Sequence, residues 1–125
     1  GNLFDTCSYA AVAAIITSKI PKWEMKDDKP VLIENQESDT PITTIPVSVT
    51  MGRIDDFIIA DPNIDEWECL DARITITTNS DGNIVALQKG GNNGFTLDQI
   101  VKCSEISISS GSKIREIIKQ ATQSN

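Results

Sequence analysis

Between Ile45 and Gln88 the chain keeps the period of a β-strand, and this constrains its fold more than any other feature. Val47, Val49 and Met51 alternate with Ser48 and Thr50, and Ile74 to Thr78 alternates in the same way. A period of two puts the apolar side chains on one face and the hydroxyls on the other. Pro46 lies near the start of the first run, where a strand tolerates it. Gly52 to Asp56 reads as a turn into Phe57 to Ala60, a more continuously apolar strand. The phrase "NSDGN" at 79 to 83 predicts a hairpin, with Asp81-Gly82 supplying positive φ and Ile84 to Gln88 pairing back.

Helical periods flank these strands. From Asn2 to Ser18 the apolar residues Leu3, Cys7, Ala10, Ala11, Ala14 and Ile15 fall at helical spacing. Asn2 can cap that helix, Asp5 suits its first turn, and Pro21 lies just past its end. The alanines predict a central helix with another backbone packed closely on it. At the other end, Thr96 and Gln99 form a capping box. Leu97, Ile100, Val101, Ile108, Ile114, Ile117 and Ile118 then mark a long closing helix, with Lys113, Arg115 and Lys119 towards its end. Gly111 is either a weak point there or a close contact. Residues 22 to 41 read as acidic and turn-rich, with a modest strand at best over Val31 to Ile33. The expected class is α+β with a mainly antiparallel sheet, and residues 1–125 suffice for a single domain. The chain does not begin with methionine and enters a helical pattern at once, so the expectation is a fragment, or one half of a longer chain.

Charge and composition remove several functions. The formal net charge is −7, which argues against a large nucleic-acid surface, because phosphate contacts need clustered Lys and Arg. The sequence has no histidine, the commonest general base and metal ligand. Cys7, Cys69 and Cys103 are widely spaced in apolar patterns, as expected of reduced, partly buried thiols in an intracellular protein.

Two stretches imitate binding motifs. Five of the eleven residues from Asp61 to Asp71 are acidic, and Asp61, Asn63 and Asp65 stand where the first calcium ligands of an EF-hand would. The sixth and twelfth positions are Glu66 and Ala72 instead of glycine and glutamate, so the calcium loop fails. An exposed acidic turn or short helix, pinned by Trp67 and Leu70, is the better reading. "KGGNNG" at 89 to 94 precedes a helix but lacks the Lys-Ser/Thr pair of a P-loop, and Asp98 would repel an anion. It reads as a flexible connection. Without histidine no Ser-His-Asp arrangement can be assembled, and the three thiols are equally short of a base. No catalytic, cofactor or metal residue is assigned.

"GNLFDTCSYAAVAAI" at 1 to 15, "KIP" at 19 to 21, "ADPNIDEWECLDARITIT" at 60 to 77 and "ALQKGGNNGF" at 86 to 95 together resemble the second half of the RNase PH-like subunits of the RNA exosome ring. The likeness runs from residue 1 to about 120. It implies that a first half of the same fold is absent from this sequence.

Active members of that family carry a phosphate-holding arginine soon after the glycine that opens the helix, and a catalytic aspartate before the strand that follows the acidic segment. By this resemblance the two positions fall on Leu3 and Arg73, with Asp71 two residues earlier. Leucine cannot donate to a phosphate, and arginine cannot act as a carboxylate. Arg73 is expected to pair with a carboxylate, Asp71 or one on a partner. The resemblance therefore implies a non-catalytic subunit without cofactor or metal. Its partners would be sister subunits in a hexameric ring, RNA-binding cap subunits and single-stranded RNA threading the assembly. No membrane is implied, and in a eukaryote the location would be nucleus, nucleolus and cytoplasm. The rival readings are an active phosphorolytic 3′→5′ exoribonuclease with Asp71 catalytic, and a small α+β interaction module.

Overall fold

The computed structural model describes residues 2–123. Its elements run α1 (Leu3–Thr17), β1 (Lys19–Lys26), β2 (Lys29–Asp39), β3 (Val47–Ile54), β4 (Phe57–Ala60), α2 (Ile64–Glu68), β5 (Ala72–Thr78), β6 (Ile84–Gly90) and α3 (Leu97–Gln123). The class is α+β, with antiparallel pairing throughout the strands.

β4, β3, β5 and β6 form a four-stranded sheet in that order. Val47, Val49 and Met51 of β3 and Ile74 and Ile76 of β5 lie on one face, all at most 5% exposed. Cys103 of α3 seals this face, with Ile100, Ile106, Ile114, Phe95 and Ile58 packed around it. α3 begins at the expected capping box: Thr96 N–H donates to Gln99 Oε1 at 2.9 Å and Gln99 N–H donates to Thr96 Oγ1 at 3.2 Å. Gly111 is a close contact, since a Cβ there would stand 2.7 Å from Thr78 Oγ1. Beside it the buried Arg115 donates from Nη1 to the Thr78 carbonyl at 2.9 Å and to Thr78 Oγ1 at 3.2 Å.

The opposite face of the same strands carries hydroxyls. Ser48 meets Thr77 at 2.9 Å and Thr50 meets Thr75 at 2.8 Å, each a cross-strand pair. α1 lies against this side. Asn2 caps it as expected, accepting from Asp5 N–H.

Four expectations are corrected. The face of α1 bearing Cys7, Ala10, Ala11, Ala14 and Ile15 is exposed, and the helix packs instead through Asp5, Ser8, Tyr9, Val12, Ala13 and Ile16. Among the described residues nothing lies on the alanine face. Residues 19–39 form a long two-stranded ribbon, where a modest strand at most was expected. The sequence hid it because its turn is Asp27-Asp28, both with positive φ, in place of the usual glycine or asparagine. β3 runs on to Ile54, so the turn into β4 is Asp55-Asp56 alone. In the β5–β6 connection only Gly82 of the pair Asp81-Gly82 has positive φ.

Candidate functional site

A cleft of about 260 Å³ opens between the start of α1, α2 and the β5–β6 edge. Leu3 and Arg73 both line it. The fold thus brings together two positions seventy residues apart in sequence. Leu3 and Phe4, at 74% and 56% exposure, form one apolar wall. Pro62, Ile64 and Trp67 form another, and Thr75, Gln88 and Gly90 the polar floor.

α2 positions Trp67. Asn63, which a calcium loop would have used as a ligand, caps this helix instead: its side chain accepts from the Asp65 and Glu66 N–H groups, each at 2.9 Å. Glu66 closes the box by accepting from Asn63 N–H at 2.8 Å. Asp61 has positive φ and its N–H donates to the Thr50 carbonyl, tying the segment's start to β3. Among the described residues no cluster of acidic or cysteine side chains could hold a metal ion.

Arg73 projects from β5 over the Trp67 ring, its guanidinium carbon 4.8 Å from the ring centroid. This contact is a cation–π interaction. Gly90, its cross-strand partner on β6, makes the pose possible: a Cβ there would run into Arg73 Nε. The expected pairing of Arg73 with Asp71 does not form. Asp71 Oδ2 instead accepts from Asp55 N–H at 2.8 Å and lies 3.6 Å from Arg53 Nη1, and Asp71 Oδ1 accepts from Asn93 Nδ2 at 3.4 Å. Asp71 lies one residue before β5 begins at Ala72, and the Asp55 N–H of the turn before β4 and the Arg53 guanidinium claim its carboxylate. Neither Trp67 nor Gly90 was legible as a site residue, because no spacing rule links a short helix to a strand that follows it.

"KGGNNG" supplies no phosphate cradle. Lys89 Nζ donates to the Gly91 carbonyl, and Gly91, with positive φ, packs 3.2 Å from Ala72 Cα as judged by a Cβ placed on it. The segment holds the end of β6 against the start of β5.

A second polar cluster lies where α1 meets β3. Asp5 Oδ2 accepts from Thr50 N–H at 2.7 Å and from Asn2 Nδ2 at 2.6 Å, and Oδ1 accepts from Thr50 Oγ1 at 2.9 Å. Tyr9 OH donates to the Ser48 carbonyl at 2.7 Å. These side chains satisfy β3 backbone groups that face away from β5 and that β4, pairing only with Met51 to Ile54, does not reach. Burial raises the Asp5 carboxyl above its usual value, outweighing the Thr50 bonds that act the other way. Burial likewise raises the Tyr9 phenol, helped by the Asp5 and Asp61 charges. The cluster is short of any exposed reactive atom, so it works as a clamp. Of the cysteines only Cys103 is buried, and burial raises its thiol; Cys7 and Cys69 are exposed, against expectation. Cys7 falls on the bare face of α1 and Cys69 at the end of α2.

Comparisons with known proteins agree with this architecture. The family described as the 3′ exoribonuclease family, domain 2, matches residues 44–110. The exosome complex component Rrp42 of Thermococcus gammatolerans is 38% identical over 125 residues, covering 99% of this chain and 46% of that protein. A solved archaeal exosome core aligns with TM-score 0.81 and 31% identity over 95% of this chain and 45% of that one. The Archaeoglobus fulgidus exosome with RNA bound to the active site aligns with TM-score 0.78 and 33% identity over 93% of this chain and 43% of that one. The chain spans about half the length of the curated relatives it matches. The family match covers more than half of the chain, including α2, β5 and β6 of the cleft, and the chain belongs to the 3′ exoribonuclease family as a domain of its second, RNase PH C-terminal type.

Proposed function

We propose that this chain serves as the second half of a non-catalytic RNase PH-like subunit in an exosome ring, supporting 3′→5′ RNA processing and degradation without performing the chemistry. The observation that carries the reading is the shared cleft of Leu3 and Arg73. Phosphorolysis there needs a donor for phosphate and a carboxylate. The cleft offers an apolar side chain at the first position and a fixed cation at the second, and a guanidinium has no proton-accepting state. The rival reading, with Asp71 catalytic, is disfavoured because its carboxylate is held by Asp55 N–H and Arg53 away from the cleft.

The partners on this reading are sister RNase PH-like subunits and RNA-binding cap subunits, with single-stranded RNA passing through the assembly inside the cell. Among the described residues no helix is long and apolar enough to cross a membrane. The bare apolar face of α1 supports a subunit role, since exposed apolar area of several hundred Å² on a stable protein tends to find a partner.

Incubation with a 3′ single-stranded RNA and inorganic phosphate tests the chemistry: no nucleoside diphosphate should appear, and measurable release by clean preparations would overturn the reading. Anisotropy at physiological salt should show RNA binding no tighter than ~10⁻⁵ M, the range of non-specific electrostatic contact. Sedimentation across a concentration series should show self-association, and a strictly monomeric species would remove the support drawn from α1.

A further inference from the structure

We propose that the cleft between α1, α2 and the β5–β6 edge is a docking site for a protein segment that presents one carboxylate beside one apolar side chain, with Arg73 as the anchor for the carboxylate. The inference goes beyond the reading above: the absence of phosphorolysis is compatible with an empty relic, whereas this assigns the cleft a ligand.

Three observations carry it. First, among the described residues the Arg73 side chain makes no hydrogen bond or ion pair; its guanidinium meets the Trp67 ring. Arg53 and Arg115, by contrast, are bonded to carbonyls or a carboxylate within the fold. The indole contact uses none of the guanidinium N–H donors, and such a fork matches a single carboxylate in bidentate fashion. β6 builds this pose in by placing Gly90 where any other residue would collide with Arg73 Nε.

Second, the walls are apolar and open, with Leu3, Phe4 and Ile64 all more than half exposed. An anchor of one charge beside such walls suits an acidic residue next to an aromatic or aliphatic one. It suits a polyphosphate poorly, because the chain carries net charge −7 and the second nearby cation, Lys89, is bonded to the Gly91 carbonyl.

Third, the volume of about 260 Å³ lies below the ~300–1,000 Å³ usual for small-molecule pockets. It accommodates side chains from a passing segment more readily than a whole nucleotide.

The test uses the full chain with Trp23→Phe, which leaves Trp67 as the only indole of the two in the sequence. Three probes are titrated while Trp67 fluorescence and the Arg73 Nε–H NMR signal are followed: a capped Phe-Asp-Leu peptide, its Phe-Asn-Leu twin and adenosine monophosphate. The aspartyl peptide should bind saturably and at least ~10-fold tighter than its twin, the scale of one charge-assisted pair. Arg73→Met should abolish that preference. Gly90→Ala, which keeps every charge but displaces the guanidinium, should reduce it severalfold with the circular dichroism unchanged. Equal binding of the twin peptides, a preference that survives Arg73→Met, or tighter saturation by adenosine monophosphate would overturn the proposal. No binding of any probe to the folded protein would overturn it as well.

Discussion

The two faces of the β3–β5 pair are built by opposite physics. Towards α3 the contacts are Val49, Met51, Ile74, Ile76 and Cys103, a dry cluster held by volume and burial. Towards α1 the same strands show Ser48, Thr50, Thr75 and Thr77, and the helix is held by Asp5, Ser8 and Tyr9 through directed hydrogen bonds. An apolar face accepts any helix of matching shape. A hydroxyl face accepts a helix in one register only, because a shift of one residue would leave buried donors unpaired. The difference also explains why α1 can turn its alanines and Cys7 outward: its apolar side is not what attaches it to the sheet.

The apolar side should be the more costly to damage. Ile74→Ala removes a side chain that is 1% exposed at the centre of the core, and should cost about 3 kcal/mol in urea unfolding, with the slope unchanged. On the polar side, Asp5→Ala strips the acceptor from the Thr50 N–H and hydroxyl, with an expected loss of about 2 kcal/mol. If that variant loses more than Ile74→Ala, the ranking of the two faces is reversed.

Asp5 also sharpens the comparison through pH. Its folded carboxyl lies above the ordinary 3.8, so only between 3.8 and that raised value does the folded chain hold a proton that the unfolded chain has released. Its contribution to stability therefore falls as pH rises from 3.8 through the raised value, and is flat above it. The margin of the wild type over Asp5→Asn should widen on acidification across that window; thermal melts of both from pH 7 downwards check this. Comparable melts of core variants should show no such divergence.

A smaller effect is expected at Gly111, where the added methyl of Gly111→Ala must push Thr78 Oγ1 aside. The loss should be about 1–2 kcal/mol, since overpacking is offset in part by better helix propensity. The smallest concerns the β1–β2 ribbon, which pairs only within itself among the sheets. Replacing Asp27→Asn and Asp28→Gly relieves two positive-φ aspartates. It should slow proteolysis within residues 19–39 while changing global unfolding by less than about 0.5 kcal/mol, because an isolated hairpin contributes little to a core it does not touch. A large global gain would mean the ribbon folds as one unit with the sheet.

The strands β3 to β6, the capped closing helix and the mainly antiparallel class were legible because each rests on local periodicity, a turn or a cap within a few residues. Val47, Val49 and Met51 announced one face and Ser48 and Thr50 the other before any fold was known. The β1–β2 ribbon was not legible, because Trp23, Met25, Pro30 and Leu32 share a side only once the register is set by an unusual turn. Nor could the burial of α1 be read, since Leu3, Cys7, Ala10, Ala11, Ala14 and Ile15 form an apolar helical stripe whether or not anything covers it.

The site divides in the same way. That residue 3 is leucine and residue 73 arginine belongs to the sequence, and with it the lack of a phosphate donor and a carboxylate at those positions. That Arg73 rests on Trp67 across Gly90, and that Asp71 turns to Arg53 and Asp55, was decided by the tertiary structure alone. A residue's chemistry travels with the chain, but its partner is chosen by which face of a strand it occupies and by what the neighbouring helix and strand bring within reach.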